Sequence, residues 1–214
     1  MDLVQRALPL LVRGLANTLL LGVVSFVLGS MLGLLIALAR ISRVRPLRWF
    51  AVGYVSIFRG TPLLIQILLI YFGLPQVGIT LEPIPSATLA LSLHAAAYLS
   101  ENFRAGIMSV EKGQWEAAFA LGMPYHRAFR RIVAPQAARI AIPSVGSRFI
   151  ALMKDTSLAS VVTVVELTRV AERVGSSTFR YIQMFIIVAI VYWMVNTTLS
   201  LGQEVLERRM GRAY

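Results

Sequence analysis

Cysteine is absent from the 214 residues, and charged side chains make up only 14% of them. Without thiols there is no disulfide frame, no thiolate metal site and no cysteine nucleophile, and no metal site is expected. Charge at well under the roughly 25% of a soluble domain, with 57% hydrophobic residues and a mean hydropathy of +0.71, excludes a water-soluble monomer. Acidic residues are scarcer than basic ones, 10 against 21, leaving a formal charge of +11. The basic excess lies in short stretches beside apolar runs, which points to membrane topology and not to nucleic acid. Lysine occurs only at Lys112 and Lys154, and neither ends a glycine-rich turn or precedes Ser or Thr. The chain therefore has no phosphate-cradling loop, and it is not expected to be an enzyme.

What is present is a series of apolar runs, each near the ~20 residues that cross a bilayer. The sequence predicts an all-α membrane protein, one transmembrane domain over 1–214, with five spans near 15–39, 49–72, 86–105, 137–156 and 181–202. The run 15–39 is too long for the core of a cleavable signal and is expected to be a retained first span. Gly29 and Gly33 in it are spaced as Gly-x-x-x-Gly, which suits a close helix-packing seam. The fourth run is interrupted by Pro143 and Arg148. Stretches 40–48 and 104–139 and the tail with Arg208, Arg209 and Arg212 carry thirteen of the 21 basic residues. Loops of that kind stay cytoplasmic, so the expected orientation has the N-terminus outside and the C-terminus in the cytoplasm. The outer 154–180 segment, where Lys154, Arg169, Arg173 and Arg180 nearly balance Asp155, Glu166 and Glu172, argues least for this.

Arg59 falls near the middle of the second run, where an ionised side chain costs at least ~2.5–3.5 kcal/mol unless it faces protein or water. The following Gly60-Thr61-Pro62 weakens the helix at the same depth, since Pro62 removes a backbone donor. Irregular backbone at membrane depth is tolerated only against protein or a wet cavity. Two readings stand: Arg59 and Thr61 line a solute pathway with Glu101 and Asp155, or Arg59 is a structural partner of Asp155 or Glu101. His94, with Ser92 and Ser100, either lines the same cavity or is a packing residue.

The stretch 111–135 predicts two short helices hinged at Gly122, with Gly122 as a left-handed cap and Pro124 starting the second helix. Small Ala117, Ala118 and Ala120 beside bulky Trp115 and Phe119 give a helix that a partner can grip closely. On residue types alone the pair could also lie at the lipid interface. Glu116-Ala117-Ala118, then Gly122, Ile132 and Pro135, resemble the EAA loop of binding-protein-dependent ABC importer permeases, with Ala134 where that family usually has Leu. Phe58-Arg59-Gly60-Thr61-Pro62, Tyr71-Phe72-Gly73-Leu74-Pro75, Glu101-Asn102-Phe103-Arg104 and Lys154-Asp155-Thr156-Ser157-Leu158 extend the resemblance to permeases for polar amino acids.

The resemblance implies a type I importer permease in a bacterial inner membrane. It implies pairing with itself or a sister permease, two separate ATPase subunits that bind ATP and Mg, and an extracytoplasmic amino acid binding protein. It assigns coupling to the ATPase to Trp115, Glu116, Ala117, Ala118, Gly122 and Pro124, with no cofactor in this chain and no nucleic acid partner. Alternatives are a self-sufficient channel or ion-coupled carrier using Arg59 and Glu101, and a scaffold whose basic loop binds membrane lipids.

Overall fold

A computed structural model describes the backbone of residues 2–211 and the side chains of 7–209; Arg212, counted above in the basic tail, lies outside the described residues. Among those residues every regular element is helical. Helix α1 (Asp2–Ile41) is followed by α2 (Arg45–Gly60) and α3 (Leu63–Leu68), which runs on through a π turn to Gly73 and a 3-10 turn to Val77. Next come α4 (Pro83–Met108), α5 (Lys112–Ala120) and α6 (Tyr125–Ala128), continued by a π turn over Phe129–Val133. Helix α7 (Ala134–Asp155) passes into a 3-10 turn over Thr156–Val162, and α8 (Leu167–Thr178) and α9 (Tyr181–Gly211) close the chain.

Among the described residues two helices are long and apolar enough to cross a membrane, within Ala7–Ile41 and Tyr181–Arg209. A third is added if α2 and α3, bent by 107° at their break, count as one span. The sequence reading expects five. The difference lies in α4 and α7, which have the length, 26 and 22 residues, but not the uniform apolarity. Helix α4 is built of Ala, Ser and His turned inward, and α7 carries Arg139, Arg148, Lys154 and Asp155. Helices shielded by other helices need little lipid-facing apolar surface, so hydropathy understates them.

Small residues let α1 and α4 approach closely, because helices in lipid associate through packing with no hydrophobic force between them. A Cβ at Gly33 would lie 3.0 Å from the Ala96 carbonyl oxygen and 3.1 Å from the Leu99 Cβ, and one at Gly29 2.8 Å from the Ala95 Cβ. Helix α4 meets α7 the same way, with Gly106 seated against the Ala137 carbonyl and the Ala141 Cβ. Around this axis Ile67, Leu91, Leu99 and Leu152 are fully buried in one cluster.

A second cluster, with Leu167, Val170, Ala171 and Met184, joins α8 to α9 and the start of α1. Glu166 fixes it: its carboxylate accepts from the backbone N–H groups of Thr168 and Arg169 at 2.8 Å each and from the Tyr192 hydroxyl at 2.9 Å. Burial pushes this carboxyl above its ordinary range, against the opposing pull of those donors. From α1, Asn17 donates to the Val165 carbonyl at 2.7 Å and Thr18 accepts from the Leu167 N–H at 3.2 Å.

Substituting Gly33→Leu forces α1 away from α4 and is expected to cost about 1–3 kcal/mol. Gly53→Ala, where nothing lies within 4 Å of an added Cβ, is expected to hold or slightly raise stability. Thermal unfolding in detergent micelles separates the two, and an unchanged midpoint for Gly33→Leu would refute the seam.

Candidate coupling hook and intramembrane polar cluster

The break in the second run is held by one side chain. Pro62 stops α2, and Gln66 on the first turn of α3 folds back, its amide donating to the carbonyls of Phe58 (2.9 Å) and Thr61 (3.1 Å) and to the Thr61 hydroxyl (2.9 Å). Carbonyls freed by the proline are thereby satisfied. The Gln66 Oε1 meets His94 Nδ1 at 3.1 Å, so the buried histidine is tied to the break.

Glu101, near the end of α4, is the centre of three arginines. Its carboxylate pairs with Arg40 from α1, with Arg104 at 2.9 Å and with Arg59 at 3.6 Å. Of the two partners open to Arg59 in the sequence reading, the structure brings Glu101. Asp155 pairs instead with Arg148 at 2.9 Å. Both arginines lean on the Tyr98 ring, Arg148 at 4.5 Å and Arg59 at 5.2 Å from its centroid, and His94 is 5.0 Å from the same ring. Arg59, Thr61, Glu101 and Asp155, spread over three elements, are thus linked through Tyr98, His94 and Gln66. Sequence reasoning missed Tyr98 and Gln66 and took Arg148 only as an interruption. The buried Nε of Arg148 has no hydrogen-bond acceptor among the described residues.

The hook stands between α4 and α7. Its first helix, α5, ends in a Schellman cap: Gly122 donates to the Phe119 carbonyl (2.9 Å) and Met123 to the Ala118 carbonyl (3.1 Å), with Gly122 at φ +71°. Trp115 stacks on Tyr125 at 5.2 Å and lies 6.3 Å from Phe129, clamping α5 onto α6. Val110, Val133 and Ala137 seal the root. Glu116, Ala117 and Pro124 are exposed, as is Leu121 at 80%, while Trp115 is half-buried and Ala118 fully buried. Ala118 therefore seats the helix and does not lie on its open face.

Three cations around one carboxylate make Glu101 the residue whose loss costs most here. Glu101→Gln is expected to lower stability by about 1.5–3 kcal/mol, the value of a charge-assisted hydrogen bond. Arg40→Gln should cost less in that background than in the native chain, and strict additivity in thermal unfolding of the double variant would count against the cluster.

Residues 29–212 match the family of binding-protein-dependent transport system inner membrane components. The L-cystine transport system permease protein TcyB of Bacillus subtilis (strain 168) is 46% identical over 213 residues, covering 99% of this chain and 91% of that protein. The arginine transport system permease protein ArtQ of the same organism is 39% identical, covering 95% and 93%. The crystal structure of an amino acid ABC transporter with histidines superimposes with a TM-score of 0.91 at 39% identity, over 95% of each chain. With the family model matching residues 29–212 of this chain and relatives aligned nearly end to end, this chain belongs to the inner-membrane permease components of binding-protein-dependent transport systems.

Proposed function

We propose that the chain is the membrane-spanning permease subunit of an ATP-driven importer for a polar amino acid. Relatives named for cystine and arginine transport support the substrate class. The observation that carries the mechanism is the clamped hook, which presents Glu116, Ala117 and Leu121 outward from a root buried between α4 and α7. Coupling needs an element whose position differs between global states, and a short rigid helix joined to two long ones is such an element. ATP and Mg act in separate ATPase subunits gripping Glu116, Ala117, Gly122 and Pro124, with Trp115 and Ala118 holding the helix in register.

The chain lies as a single five-span domain in the bacterial inner membrane, with α2 and α3 as one bent span. It pairs with a second permease subunit, and an extracytoplasmic binding protein delivers the amino acid. The basic segments 40–48 and 104–112 share one cavity and so one end of the bundle, which supports a cytoplasmic placement of that end and of the C-terminus. The cluster of Arg59, Thr61, Glu101 and Asp155 lines the route, with Arg59 the more exposed partner of the Arg59–Glu101 pair. A self-sufficient channel or carrier is set aside, since the relatives are transport system permease proteins and the similar solved structure is an amino acid ABC transporter.

Gly122→Asp tests the coupling. Nothing lies within 4 Å of an added Cβ there, so the change strains the left-handed cap and places a charge on the docking face without a clash. Stimulation of the partner ATPase by loaded binding protein is expected to be abolished while membrane insertion persists. Normal stimulation in reconstituted vesicles would overturn the role of the hook.

A further inference from the structure

At the root of the hook lies a cavity of about 580 Å³ lined by Arg40, Arg48, Arg104 and Lys112 together with Trp115 and Tyr125. No carboxylate lines it. Arg40 and Arg104 share Glu101 with Arg59, so three positive charges meet one negative. Arg48 and Lys112 form no ion pair among the described residues. Clustered like charge with low-dielectric walls focuses the field and draws in an anion.

Alongside is a second cavity of about 350 Å³ whose lining is apolar, with Leu34, Leu38, Phe103, Phe129, Ala138 and Ile142 among it. Ile107 lines both cavities. On α1, Leu34, Leu38 and Ile41 fall on one helical face, and on α4 Phe103 and Ile107 stand one turn apart. The apolar groove therefore leads along both helices into the basic cavity. The aromatic clamp borders each: Trp115 and Tyr125 face the basic part, Phe129 the apolar part.

A small anion or an acidic protein loop would use only the basic half, and a neutral apolar molecule would leave Arg48 and Lys112 unmatched. A molecule with an anionic head and a hydrocarbon tail matches both. We propose that this trough binds an anionic phospholipid, its phosphate among Arg40, Arg48, Arg104 and Lys112 and one acyl chain along Leu38, Phe129 and Ala138. Placement in the cytoplasmic leaflet, and the consequence that bound lipid steadies the hook, rest on the function proposed above; the binding itself does not.

The test uses the full chain in lipid nanodiscs of phosphatidylcholine, with acyl-brominated phosphatidylglycerol or acyl-brominated phosphatidylcholine as quencher of tryptophan fluorescence. Trp115→Phe identifies the signal of Trp115 against those of Trp49 and Trp193. Brominated phosphatidylglycerol is expected to quench Trp115 at a severalfold lower mole fraction than brominated phosphatidylcholine. Arg48→Gln with Lys112→Gln, neither of which breaks an ion pair, is expected to remove most of that preference, since each basic residue near an anionic surface contributes ~1 kcal/mol. Ala138→Phe fills the groove and is expected to remove the quenching with all four cations in place. Equal quenching by the two lipids, an unchanged preference in the double variant, or quenching that survives Ala138→Phe overturns the proposal. Loss of the preference on adding inorganic phosphate also overturns it, by assigning the basic half to small anions. Gly122→Asp leaves this readout intact, so coupling and lipid binding fail separately.

Discussion

An ionised carboxylate near the end of a buried helix has to be answered by protein, and in this chain Glu101 is answered by arginines from three helices. That requirement fixes the neighbours. Arg40 reaches Glu101 because the glycine seam draws α1 against α4, and Arg59 reaches it because α2 ends where Pro62 forces a bend. The seam and the bend are thus parts of one electrostatic arrangement, in which protein groups answer the carboxylate.

Different physics shapes the hook. Its position follows from small-scale devices: a left-handed glycine that closes a Schellman cap and an aromatic stack that clamps two short helices. A helix of nine residues is marginal in isolation, so its rigidity comes from this capping and packing. The surface left open includes Glu116, Ala117, Phe119 and Leu121.

Much of this was legible in the sequence where a residue type has one physical use. The glycine seam, the break at Gly60-Thr61-Pro62, the Gly122 cap and the hinged pair around it follow from backbone chemistry that few residues satisfy. What stayed hidden depended on three-dimensional partners. Tyr98 in an apolar run gives no sign that two arginines lean on it, and Arg148 looked like an interruption because Asp155 is seven residues away and not at a helical i+3 or i+4 spacing. Ala118 was expected on the gripped face, yet the short α5 has too little amphipathic pattern to say which way its alanines point. Glu166 read as one charge in a balanced loop, because glutamate is not among the preferred helix caps. Helix α1 begins well before the predicted start at residue 15, since neither Arg13 nor Asn17 breaks a helix and the turn near Ser42 is its first true stop.

The amide of Gln66 adds a consequence for how the molecule moves. Straightening the elbow between α2 and α3 would strip three acceptors of their donor and unhook His94 in the same step. Giving up three hydrogen bonds together is costly, so the elbow resists flexing and travels as a fixed bracket. Whatever swings during a transport cycle must pivot elsewhere, with this corner serving as a lever arm of constant angle.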